Sequence, residues 1–123
     1  MGSVPFSIHR IYEKKVPPGQ RILVDRLWPR GVKKSEAGLD EWLKESAPST
    51  KLRRWYGHAP AKYEEFARRY RAELARPPAA AAVEHLLDLA HHGEVILVTA
   101  TRDIDHSGAR VLLEHLTLVS EAS

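Results

Sequence analysis

Apolar and polar positions along the chain change rhythm several times. Phe6 to Tyr12 alternates in part and carries β-branched and aromatic residues, the pattern of a strand. Val16-Pro17-Pro18-Gly19 interrupts it. Arg21 to Leu27 holds Ile22-Leu23-Val24, and Glu94 to Thr99 holds Val95-Ile96-Leu97-Val98. Both runs are continuous, as expected of strands covered on two faces. Only Glu13 to Gln20 separates the first two strands, a gap short for a helical crossover, so a hairpin is expected there.

Elsewhere the period lengthens to that of a helix. Ser35 is placed to cap a short helix containing Leu39, Trp42 and Leu43, and Ser49 to cap a turn or two carrying Leu52, Trp55 and Tyr56. Pro60 suits the first turn of the next helix. In that helix Tyr63, Phe66, Ala67, Tyr70 and Leu74 form one apolar stripe. Val83, Leu86, Leu87 and Ala90 make another, stopped by Gly93. Ala109, Leu112, Leu113 and Leu116 make a third, capped by Ser107, with a frayed tail expected after Leu118 and a loose one over residues 1–5. The order is strand, strand, helices, strand, helix. It predicts one small α/β domain over residues 1–123. Its sheet is partly parallel, of three or more strands, with helices packed on its faces. The second and third strands are expected to be parallel neighbours.

Composition narrows the possible chemistry. The chain has no cysteine, which excludes a disulfide framework, a thiolate metal site and a Cys nucleophile, and fits a cytoplasmic protein. No apolar run approaches the roughly 18 residues of a membrane span, and no signal peptide is visible. The histidines show no metal-ligand spacing, and the sequence specifies no cofactor. There is no glycine-rich phosphate loop and no G-x-S-x-G.

Charge is uneven beneath the formal +3. From Arg10 to Lys34 there are eight basic residues against two acidic, and from Lys51 to Arg71 seven against two. From Glu84 to Ser123 the balance reverses to two basic and seven acidic. A one-sided field of this kind attracts anions, although a solvated surface has the same composition.

In parallel α/β sheets ligands sit beyond the carboxyl ends of strands. Both apolar runs end in polar clusters there: Asp25-Arg26-Leu27-Trp28-Pro29-Arg30-Gly31, and Thr99-Ala100-Thr101-Arg102-Asp103-Ile104-Asp105-His106-Ser107. A small anionic ligand, bearing phosphate or carboxylate, is expected where they meet. Arg26, Arg30 and Arg102 would hold the anion, with Trp28, Thr99 and Ser107 beside them. Asp25, Asp103 and His106 are the candidate acids or bases if the site is catalytic. The competing structural reading pairs Asp25 with Arg102, or Arg26 with Asp103, as a tie between strand ends. A second class of function, nucleic-acid binding, would use Lys33, Lys34, Arg53, Arg54 and Trp55. Trp55 and Tyr56 also read simply as core residues. A protein-interaction or purely structural role is the third class, and oligomeric state is not legible.

The run Val24-Asp25-Arg26-Leu27-Trp28-Pro29-Arg30-Gly31 resembles the signature of the YeaO-like proteins, a bacterial family of unknown function. Leu39-Asp40-Glu41-Trp42-Leu43, Ala47-Pro48-Ser49, Leu52-Arg53, Trp55-Tyr56 and Gly57-His58 follow in the family's order, as do Tyr63, Phe66, Tyr70, Glu73 and Leu74. The resemblance runs from about Ile8 to Leu116 and implies a compact α/β fold without an established activity. The family commonly has His-Asn-His-Ala at the start of its last helix. This chain has His106-Ser107-Gly108-Ala109, so only His106 of the two histidines is kept.

Overall fold

The computed structural model describes residues 5–13, 15 and 17–122; residues 1–4 of the expected tail and Val16 of the expected break lie outside them. Among the described residues, four strands form one sheet: β1 (Phe6–Arg10), β2 (Gln20–Leu23), β3 (Glu41–Trp42) and β4 (Val95–Thr99). Among the described residues, four α-helices accompany the sheet: α1 (Thr50–Tyr56), α2 (Tyr63–Leu74), α3 (Ala79–Ala90) and α4 (Gly108–Ala122). Single 3-10 turns punctuate the connections at Lys34–Glu36, Lys44–Ser46, Pro60–Lys62 and Ile104–His106.

The strand order is β1-β4-β2-β3, and all three pairings are parallel. The expected hairpin between β1 and β2 does not form. The entirely buried β4 lies between them, with Ile8 and Ile22 both opposite Leu97. A parallel return usually takes a dozen residues or more. Here the strands are only four and five residues long, about 17 Å at most. The connection over residues 11–19 has reach to spare, since extended chain covers roughly 3.3 Å per residue. The most apolar run takes the centre, where both its edges are paired.

The second departure is at Glu41–Trp42. Leu39, Trp42 and Leu43 have helical spacing, but the segment is extended and pairs with β2, Leu23 opposite Trp42. Asp40 N–H donates to Arg21 O (2.8 Å) and Leu43 N–H to Leu23 O (2.9 Å). The free edge of β2 supplied backbone partners that local propensity does not count.

The sheet is covered on both faces, as its continuous runs require. Alternate residues separate the two sides. Ile22, Val24, Val95 and Leu97 join α1 to α4 in the larger core, with Phe66, Tyr70, Leu86, Leu112 and Leu116 almost fully buried. Leu23, Ile96 and Val98 turn the other way, onto Ile11, Ala37, Trp28, Val32, Leu39 and Trp42. Apart from Ile11, which follows β1, and Trp42 in β3, that second cover is chain between β2 and β3, with no α-helix in it.

Two of the three predicted serine caps are present; Ser35 instead lies inside the 3-10 turn Lys34–Glu36, which has no side-chain cap. Ser49 Oγ accepts from Leu52 N–H (3.2 Å), and Gly57, at φ 54°, ends α1. Ser107 Oγ accepts from Arg110 N–H (3.1 Å) at the start of α4. Helix α4 continues past Leu118 to Ala122, where a frayed tail was expected. Among the described residues, no helix is long and apolar enough to cross a membrane.

Candidate functional site

The ends of β2 and β4 meet, and one side chain ties them together. Asp25, just past β2, accepts a hydrogen bond from the Thr99 hydroxyl (2.7 Å) on one oxygen and from the Ala100 N–H (2.7 Å) on the other. Thr99 Oγ1 in turn accepts from Thr101 N–H (3.1 Å), and Trp42 Nε1 donates to the Asp25 carbonyl (2.8 Å). Burial raises the Asp25 carboxyl above its ordinary range, opposed by the Ala100 and Thr99 donors and by the charge of His58.

A cavity of about 630 Å³ opens over this junction. Its lining includes Asp25, Arg26, Arg30, Arg53, Arg102 and Asp103 among the charged groups, with Trp28, Pro29 and Tyr56 among its apolar walls. The cavity stands at the carboxyl ends of the strands, where ligands of parallel sheets bind, and its size is ordinary for a small-molecule site.

The arginines differ in what they already hold. Arg26 is committed to the protein: Nε donates to Pro48 O (3.0 Å) and a terminal nitrogen to Ala47 O (3.2 Å). Arg30 and Arg102 are exposed, and neither guanidinium makes a hydrogen bond or ion pair among the described residues. Arg53 is half-buried, and its Nε is buried without an acceptor. Arg10 and Arg21 share that feature away from the cavity.

Neither of the anticipated ion pairs forms. Asp25 holds Thr99 and Ala100 rather than Arg102. Asp103, rather than meeting Arg26, pairs with His106 Nδ1 (2.9 Å). His106 lies outside the lining, its ring set edge-on to Tyr63 at 5.2 Å. Its carbonyl accepts from the Tyr56 hydroxyl (2.5 Å), a phenol raised above its ordinary range by burial and then by Asp103. Ser107 lines the cavity, but its hydroxyl is used locally, donating to Ile104 O (2.6 Å) besides capping α4. Trp28 presents a wall rather than a donor, since its Nε1 donates to Val32 O (2.7 Å).

The nucleic-acid set is divided. Arg53 lines the cavity; Arg54, Lys33, Lys34 and Trp55 do not. Arg69 and Lys62 lie over the Trp55 ring at 4.4 and 5.0 Å, and Lys34 lies 5.8 Å from the Trp28 ring. Among the described residues, no group of three or more His, Asp or Glu side chains is placed to hold a metal ion.

The lining residues that were not anticipated include Tyr12, Pro48, His58 and Gly108. Tyr12 sits beyond β1 and donates to Arg30 O (3.2 Å). His58 has φ 56°, the left-handed region that a side chain seldom adopts, directly after Gly57 in the same region. A Gly-His pair at a helix end is the one local signal for it. Gly108 is small for a reason: a Cβ there would come within 3.3 Å of Pro48.

Residues 5–122 match the family described as the inactive DUF488-N3 subclade. The chain is 44% identical over 110 residues to the uncharacterized protein Rv3073c of Mycobacterium tuberculosis, covering 89% of this chain and 91% of that one. It is 39% identical over 108 residues to the uncharacterized protein YeaO of Escherichia coli, covering 87% and 92%. No solved structure matches.

Proposed function

Starting from the fact that this chain belongs to the inactive DUF488-N3 subclade, with YeaO among its relatives, we propose that it binds a small anionic ligand without transforming it. The site is the cavity at the carboxyl ends of β2 and β4. One observation carries the reading: Arg30, Arg53 and Arg102 line one cavity with guanidinium groups that the protein leaves unused, Arg53 with a buried Nε lacking an acceptor. A buried donor without a partner costs free energy that an incoming acceptor recovers. Guanidinium groups match carboxylate and phosphate oxygens in pairs.

Binding is favoured over catalysis by the way the candidate acids and bases are occupied. Both Asp25 oxygens accept hydrogen bonds from β4 and its exit. His106 stands outside the cavity and faces Asp103. The subclade's own description as inactive points the same way.

Thermal melting against phosphate monoesters and carboxylates, followed by calorimetry on any compound that binds, tests the reading. A ligand at 100 times its dissociation constant adds about 2.7 kcal/mol, a readily measured shift in midpoint. Arg53→Ala and Arg102→Ala should each weaken it tenfold or more. A flat panel, or a binder indifferent to both substitutions, would overturn it.

A further inference from the structure

The cavity carries both signs of charge, held apart. Asp25 shares it with Arg26, Arg30, Arg53 and Arg102 and makes an ion pair with none of them. A carboxylate accepts about four hydrogen bonds, and Asp25 receives two, both from neutral donors. A half-buried carboxylate with no ion-pair partner is costly, and the approach of a cation to it is correspondingly favourable. A purely anionic ligand leaves this cost in place and adds like-charge repulsion.

The walls add a second requirement. Tyr12 and Leu27 stand 48% and 59% exposed, two of the three large apolar side chains so exposed among the described residues, and both line this cavity. Trp28 and Pro29 continue the apolar surface. Such a wall favours a ligand with an apolar body over a compact inorganic ion.

We propose that the ligand is a small zwitterion with an apolar body, an amino-acid-like molecule. Its acid group meets Arg53 and Arg102, its amine meets Asp25, and its body lies against Tyr12, Leu27 and Trp28. The proposal rests on the anion-binding reading and narrows it: Asp25 becomes the residue that selects for a donor-bearing ligand.

Matched probes test it on the full chain at neutral pH by calorimetry. L-phenylalanine and L-tryptophan are compared with 3-phenylpropionate and indole-3-propionate, which lack the amine, and with phenethylamine and tryptamine, which lack the acid. The amino acids should bind at least tenfold more tightly than either set. Asp25→Asn should bring the ratio between amino acid and amine-free acid to about one; Arg53→Ala should do the same for the acid-free amines. If the amine-free acids bind as tightly as the amino acids, the zwitterion is overturned while the anion reading stands. If none of the six binds, the zwitterion is overturned, and the phosphate and carboxylate panel separately decides the anion reading. The comparison among ligands needs only the unsubstituted protein, so an Asp25 variant that fails to fold does not blunt it.

Discussion

The two faces of the sheet are covered by different kinds of structure. Four α-helices pack on the face of Ile22, Val24, Val95 and Leu97. Irregular chain between β2 and β3, anchored by Trp28 and Trp42, packs on the face of Leu23, Ile96 and Val98. The helices satisfy their own backbone groups, so their contribution is side-chain burial. The irregular cover satisfies its backbone by specific bonds: Trp28 Nε1 to Val32 O, Trp42 Nε1 to Asp25 O, and Arg21 to Ala37 and Gly38 O. The cavity sits where the two covers meet, lined by Tyr56, Phe66 and Ala109 from one and Trp28 from the other. Irregular chain adjusts to a ligand more readily than packed helices do, so the two walls of the cavity are expected to differ in stiffness.

Truncation of one leucine on each face tests that contrast most strongly. Leu97 on β4 faces the helices and Leu23 on β2 faces the irregular cover, and both are fully buried. Leucine-to-alanine changes in cores cost about 2–5 kcal/mol, less where the surroundings collapse into the space. Leu97→Ala should fall near the top of that range and Leu23→Ala lower, as read by urea unfolding. Equal costs would mean that the irregular cover is as stiff as the helices.

Polar anchors should matter at a smaller scale on both sides. Ser49 caps α1 and also donates to Glu73 (2.6 Å), which holds the Ser49 N–H as well (2.8 Å). Ser49→Ala should cost about 1–2 kcal/mol. Trp28→Phe keeps an aromatic ring against Trp42, 5.4 Å away, and loses the bond to Val32 together with part of the indole's packing. It should cost at least about 1 kcal/mol and should raise amide exchange in residues 28–37 more than elsewhere. Exchange that rises equally in α1 would remove the distinction between the covers.

The same contrast decides what the sequence made legible. Helices announce themselves locally: the stripe Tyr63 to Leu74 and the caps at Ser49 and Ser107 are all within a few residues of what they stabilise. The continuous runs at Ile22 and Val95 likewise identify strands covered twice. Strand order is not local. That β4 separates β1 from β2, and that Glu41–Trp42 extends rather than coils, depends on pairings between residues distant in sequence. The site divides in the same way. Asp25, Arg30 and Arg102 follow from the strand ends, with Thr99 buried behind Asp25 rather than lining the cavity, whereas Tyr12, Pro48 and Arg53 arrive by tertiary packing. The missing Asp25–Arg102 pair could not be foreseen because the Ala100 N–H competes for Asp25 from the backbone, which no side-chain pattern records.

The smallest effects expected are electrostatic, and they distinguish the cavity from the outer surface. Burial raises Asp25, while Arg68 and Arg69 hold Glu65, on the exposed side of α2, down to about 2. The signs are opposite. A raised carboxyl binds more protons folded than unfolded, so its contribution is complete below the ordinary 3.8 and is lost as pH rises through the folded value. A lowered one contributes above the ordinary 4.5 and loses that contribution as pH falls toward about 2. The melting point of Asp25→Asn, relative to the unsubstituted protein, should therefore climb as pH rises above the ordinary 3.8, whatever constant offset the amide introduces at Thr99 and Ala100. That of Glu65→Gln should fall over its own range, from pH 2 to 5, and added salt should flatten it, because the Glu65 pairs are exposed and screened. A salt-insensitive slope for Asp25 beside a salt-sensitive one for Glu65 would mark the first as a desolvation effect. Slopes equally flattened by salt would mean that water reaches Asp25 freely and that burial is not what raises it.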